Sequence, residues 1–138
     1  MKKLFLLLFL LLVSNLSFSQ VEISSRLQDA LNTANPNDYI KVIVLLRSQV
    51  DFVSLDQQLV SKKVNIQQRA FQVITALKEN AENTQSSLKN YLSVKSSTSD
   101  VFTFQSFWIS NMFVVEAKPQ IINELMNRPD AVSYTHLT

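Results

Sequence analysis

The 138-residue sequence contains no glycine, no cysteine and a single histidine, His136. Each absence excludes a class of chemistry. Without glycine there is no phosphate-cradling Gly loop, no nucleophile elbow and no tight oxyanion turn, since these need a positive φ or a close backbone approach. Without cysteine, disulfides and thiolate metal sites are excluded. A Ser-His-Asp constellation needs a histidine base beside the serine, and His136 stands alone near the C-terminus. The 11 acidic residues are scattered. Glu79 and Glu82 lie three apart on one helix face but have no partner in the sequence that would perturb a pKa. No catalytic residue, metal ligand or cofactor site is therefore expected. Lys62-Lys63 reads as a polar helix face rather than an anion site.

Charge of one sign is also lacking. Of 13 Lys+Arg, Lys2 and Lys3 belong to the N-terminal segment, which leaves 11 against 11 Asp+Glu. A neutral chain has no basic footprint for nucleic acid. Long apolar runs are limited to Leu4–Val13, too short to span a bilayer. Preceded by Lys2-Lys3 and followed by polar Ser14–Ser19, that run has the form of a secretory signal peptide, residues 1–19, with cleavage between Ser19 and Gln20. The expected location is exported: periplasmic, cell-surface or extracellular, with no membrane attachment once the signal is removed. About 110 mature residues suffice for one small core.

What is present is patterned. Ser24 and Ser25 can cap a short helix with Leu27, Ala30, Leu31 and Ala34 on one face, and Asn35-Pro36-Asn37-Asp38 stops it, giving a helical lead-in over 20–37. Tyr39–Leu46 is β-branched and almost continuously apolar, a strand covered on at least one face. Ser54-Leu55-Asp56-Gln57 has the spacing of a capping box. Ala70, Ile74, Leu77, Ala81, Thr84, Leu88 and Leu92 then recur at steps of three or four, predicting a long amphipathic helix with a bend near 62–65. Lys95–Asp100 reads as a polar loop. Val101–Ile109 and Met112–Ala117 predict a hairpin, with Asn111 tolerating a left-handed turn conformation. Lys118-Pro119 opens a short helix carrying Ile121, Ile122, Leu125 and Met126, ended by Arg128-Pro129-Asp130. The order is βαββαβ, an α+β ferredoxin-like fold with an extra N-terminal helix, a long first crossover helix and the last strand truncated or replaced.

Three stretches carry a family resemblance: Asp38–Leu46; Arg69…Val73…Leu77…Ala81…Gln85…Leu88…Leu92; and above all Phe107-Trp108-Ile109-Ser110-Asn111-Met112-Phe113-Val114-Val115-Glu116-Ala117 with Pro119–Leu125 and Arg128-Pro129-Asp130. Together, over 38–131, they resemble the propeptide (inhibitor) domain of exported subtilisin-like serine proteases. The resemblance implies a prodomain that assists folding of the protease and inhibits it until processed. It implies a subtilisin-like catalytic domain as partner, in cis or, after cleavage, in trans. It also implies that the open sheet face packs on surface helices of that domain and that the segment after the last strand lies in its cleft. Two other readings fit the same pattern: a free-standing exported inhibitor of this fold, and an unrelated exported ferredoxin-like binding module.

Candidate interface or core aromatics are Phe102, Phe104, Phe107, Trp108 and Phe113. Strict alternation sorts Phe102, Phe104, Ser106 and Trp108 to one side, and Val101, Thr103, Gln105, Phe107 and Ile109 to the other. Either set can face the helices. The end, Val132-Ser133-Tyr134-Thr135-His136-Leu137-Thr138, resembles the translation of a transposase-based sequencing-library adapter. On that reading 132–138 is a non-native tail, native sequence stops near Asp130 with Ala131 at the junction, and His136 carries no mechanism. The other reading is a genuine last strand, since Val-Ser-Tyr-Thr is strand-like and sits where a closing strand belongs.

Overall fold

The computed structural model describes residues 21–137. The expected signal segment, its Ser19–Gln20 cleavage pair and Thr138 lie outside them. Strand β1 is Glu22–Ile23, and helix α1 spans Ser25–Thr33. Ser24 caps α1 as expected, its side chain accepting from the Leu27 N–H. Strand β2 is Ile40–Leu46, followed by helices α2 (Phe52–Ser61) and α3 (Ile66–Ser97). Strands β3 (Val101–Phe107) and β4 (Met112–Ala117), helix α4 (Pro119–Met126) and strand β5 (Ala131–His136) complete the order.

The strands form one sheet in the order β1-β5-β2-β4-β3. The β2, β5, β4 and β3 pairings are antiparallel, whereas β1 adds to β5 in parallel. β4 separates β2 from β3, and β2 separates β4 from β5, so each βαβ unit is split by a strand of the other. This is the α+β, ferredoxin-like βαββαβ arrangement expected. The added parallel strand β1 sets the whole sheet apart from a four-stranded one. A two-residue strand has no periodicity of its own and exists because β5 offers a free edge.

The closing strand expected to be truncated or replaced is formed. Ala131–His136 pairs with β2 from Leu46 to Val42. Its β-branched and aromatic residues suit a pleated surface, and the β2 edge supplies the unpaired N–H and C=O groups that template it. The resemblance of 132–138 to adapter sequence concerns the origin of these residues; 132–136 take the strand position in either case.

One core holds the layers together. The inward residues of β2 and β4 (Val42, Val44, Phe113, Val115) pack with Leu27 of α1, Leu88 and Leu92 of α3, and Ile121, Ile122 and Leu125 of α4. Ala131 and Tyr134 of β5 belong to the same cluster. The Tyr134 hydroxyl donates to the Leu125 carbonyl, so its polar tip is satisfied inside.

Two local boundaries differ from expectation. The N-cap of α2 is Asp51, three residues before the expected Ser54, its carboxylate accepting from the Ser54 N–H at 3.0 Å, so the helix begins at Phe52. Helix α3 runs through Lys95 to Ser97, so the loop shrinks to 98–100, where Ser99 has φ 59°. The expected bend is a true break: Lys63 has φ 58°, and Asn65 caps α3. No helix among the described residues is long and apolar enough to cross a membrane.

Candidate interaction face

Helices α1, α3 and α4 cover one face of the sheet, which leaves the alternate residues of the strands on the other. Register places these in rows. Phe107, Met112 and Leu45 form the first row, Gln105, Val114 and Ile43 the second, and Thr103, Glu116 and Lys41 the third. Across the β2–β5 ladder, Ser133 continues the first row and Thr135 the second. Ile43, Leu45, Phe107, Met112 and Val114 are half-buried. The third row ends in a Lys41–Glu116 ion pair at 3.3 Å. The face therefore grades from apolar, beside the β3–β4 turn, to charged at the far end. This half-buried apolar end makes the uncovered face the candidate contact surface of the sheet.

The candidate aromatics do not converge on this face. Phe113 is fully buried in the core, and Phe104 packs against its margin. Phe107 lies on the open face opposite Met112. Phe102 is 66% exposed and packs on Tyr39 with ring centroids 5.5 Å apart. Trp108 sits in the turn, with the Lys78 ammonium 5.4 Å from its ring centroid. Strict alternation fails because the register shifts between Val101 and Thr103, which makes Phe102 a bulge residue. Val101 and Phe104 consequently share the core side, while Thr103, Gln105 and Phe107 share the other.

The hairpin turn spans Trp108 to Asn111, four residues rather than the expected two, and Asn111 holds φ 40°. Asn111 is more than a turn residue. Only 2% exposed, it donates from Nδ2 to the Ser48 carbonyl at 2.6 Å and to Thr84 Oγ1 at 2.9 Å. Its Oδ1 accepts from Gln85 Nε2 at 3.0 Å, and Gln85 also donates to the Phe107 carbonyl at 3.1 Å. Asn80 completes the set by donating to the Ser48 carbonyl at 2.9 Å. The network ties the β2–α2 loop, the middle of α3 and the turn at the apolar end of the open face. No buried side-chain polar atom among the described residues lacks a partner.

Several open-face residues, Ile43, Leu45, Met112 and Val114, were not singled out from the sequence. Their signal was available in the alternate phase of β2 and β4, where every second position is apolar although the core needs only one set. Gln85 had a signal too, as a polar residue in the Ala81, Leu88, Leu92 stripe.

Among the described residues no cluster of three or more His, Asp or Glu could hold a metal ion. The shifted titrations lie away from the open face. Hydrogen bonds from Lys95 and then Tyr91 hold the Glu124 carboxyl below the usual carboxylate range, and burial raises the Tyr91 phenol. Hydrogen bonds from Thr98 and Lys118 lower Asp100, and those from Ser54 lower Asp51. A depressed folded-state pKa contributes stability above the unfolded value that is lost as pH falls through the folded one. The melting temperature is therefore expected to hold from neutral pH to about 5 and to drop below about 4, in the carboxylate range. Glu124→Gln should shrink that drop; a melting temperature that stays flat from about pH 5 to 3 contradicts it.

Comparison of the chain with protein-family models, with curated proteins and with solved structures finds no match in any of the three.

Proposed function

We propose that this chain is the N-terminal part of an exported subtilisin-like protease precursor: a signal peptide followed by a prodomain that assists folding of the catalytic domain and inhibits it. The observation that carries the reading is the sheet face left free of helices, with its apolar row of Phe107, Met112 and Leu45. A sheet whose antiparallel strands β5-β2-β4-β3 are covered on one face by the chain's own helices and carry apolar rows on the other is suited to completion by a partner. The resemblance of 107–117 to the family's hairpin supplies the partner's identity, a subtilisin-like catalytic domain. Leu137 donates its N–H to the Lys41 carbonyl at 2.8 Å, at the end of the sheet where Lys41 and Glu116 pair.

Inhibition in trans tests the reading. The exported chain is expected to inhibit a subtilisin-like protease, and Val114→Asp or Met112→Asp to weaken that inhibition about 30-fold or more, the effect of charging a central interface position (roughly 2 kcal/mol). Both side chains point away from the core, so circular dichroism and the melting temperature should stay near the parent's. If neither the parent nor any variant slows the enzyme, the inhibitor role is wrong. The genomic reading frame beyond Asp130 gives a second test: glycine-flanked Asp, His and Ser blocks are expected downstream, whereas an immediate stop favours a free-standing inhibitor.

A further inference from the structure

Helices α2 and α3 are joined by residues 62–65, of which Lys62, Lys63 and Asn65 are exposed. The Lys63 N–H donates to the Val60 carbonyl at 2.9 Å and the Val64 N–H to the Leu59 carbonyl at 3.1 Å. This is the doubly bonded helix stop whose left-handed position is ordinarily a glycine. The sequence has no glycine, and Lys63 takes that position at φ 58°, which its Cβ disfavours. The turn is therefore closed against strain, and little else holds it shut. Leu59 is the one buried residue of α2, and Arg69–Asp56, at 3.2 Å, is the one ion pair between α2 and α3 among the described residues. The first turn of α3 is exposed from Ile66 to Gln68. Releasing the end of α2 with 62–65 uncovers little buried surface, so this segment opens well before the sheet does.

The segment also carries an adjacent basic pair. No ion pair holds Lys62 or Lys63 among the described residues. The other Lys and Arg of those residues are shielded from a protease, which needs an extended chain. Arg26, Arg69, Lys78, Lys89 and Lys95 lie inside helices, and Lys41 lies inside the central strand β2. Lys118 and Arg128 each precede a proline, whose ring obstructs the position after the scissile bond. Arg47 is tied down by its N–H to the Asp130 carbonyl at 2.8 Å and by Nε to the Pro129 carbonyl at 3.1 Å.

We infer that the α2–α3 turn is a processing site, cut directly after Lys62 or Lys63 by an endoprotease that requires a basic residue before the scissile bond, and that the cut turns a self-contained domain into a dissociable pair. The step is a hydrolysis. The C–N bond breaks, the water oxygen joins the lysine carbonyl carbon as a carboxylate, and both water protons go to the departing nitrogen, which leaves as an ammonium. The N-terminal piece keeps β2, and the C-terminal piece keeps its neighbours β4 and β5, so the core is divided between two molecules. A short connection holds such halves at an effective concentration of about 1 mM. At about 1 µM the cut therefore lowers the ratio of folded to unfolded chain about a thousandfold. This inference does not depend on the inhibitor reading.

Limited digestion of the exported chain with trypsin, read by mass spectrometry, tests the site. The first products are expected to be a piece ending at Lys62 or Lys63 and one beginning at Lys63 or Val64. Lys62→Gln with Lys63→Gln should keep the melting temperature and slow loss of the intact chain about tenfold or more, because cutting then waits for wider unfolding. Lys63→Gly should be cut about fivefold more slowly than Lys63→Gln, since both keep Lys62 and only glycine relieves the strain. The nicked chain should melt below the intact one, and by more the lower its concentration between about 1 and 100 µM. A first cut elsewhere, or a double glutamine variant digested at the parent's rate, overturns the site. Equal rates for the glycine and glutamine variants overturn the part given to strain. A nicked chain that melts at the parent's temperature whatever its concentration overturns the dissociable pair.

Discussion

Deleting residues 131–138 abolishes the cooperative unfolding of this chain. The deletion removes Tyr134, 0% exposed and among the largest side chains of the core, together with buried Ala131. Losing a buried aromatic alone costs about 3–5 kcal/mol in large-to-small substitutions. The β2 edge from Val42 to Leu46 loses its ladder, and β1 loses the only strand it pairs with among the described residues. The Ser24 N–H, which donates to the Tyr134 carbonyl at 3.0 Å, loses its acceptor at the cap of α1. Against a total stability of about 5–15 kcal/mol for a small domain, these losses leave no folded population. Thermal scans by circular dichroism should show a broad, non-cooperative change. A sharp transition within about 5 °C of the full chain would mean that β5 is dispensable. Tyr134→Ala, which keeps the ladder, should lie between the two.

Much of this fold was legible along the chain because each element carries its own period. The 3.6-residue stripe of α3, the β-branched run of β2 and the proline opening α4 are local features, and local physics decides them. What was not legible depends on distant partners. β1 is a strand only because β5 lies beside it. Strict alternation through Val101–Phe107 misplaced Phe102, because a bulge depends on the register with β4 and β3 alone does not encode it. The five aromatics looked like a cluster in sequence, yet the pleat, the bulge and the turn distribute them among core, open face, turn and outer edge. The open face was anticipated as a feature, but its members are aliphatic, and hydrophobic strands read the same whether the second face is covered or free.

Asn111 shows the same limit on a single residue, and it carries the second large effect. Its tolerance for φ 40° can be read from residue type; its burial among Ser48, Thr84 and Gln85 cannot, since these lie 26 to 63 positions away on other elements. Asn111→Ala removes two donors and one acceptor at once. It leaves the buried Gln85 amide with the Phe107 carbonyl as its remaining acceptor, and takes one donor from the half-buried Thr84 hydroxyl and one from the Ser48 carbonyl, which keeps the Asn80 amide. The buried Gln85–Asn111 bond is the costly loss, at about 1–3 kcal/mol, and the part-buried bonds add less, so the substitution is expected to cost about 2–4 kcal/mol in chemical denaturation. Asn111→Gly separates the two causes. Glycine relieves the left-handed backbone but orphans the same groups, so it should recover only about 1 kcal/mol over alanine. If glycine instead restores the parent's stability, the network is incidental and Asn111 is a turn residue alone. The consequence reaches the interaction face, because this turn holds Phe107 and Met112 in register at its apolar end. A loosened turn should weaken inhibition by Asn111→Ala even at temperatures where the variant is still folded.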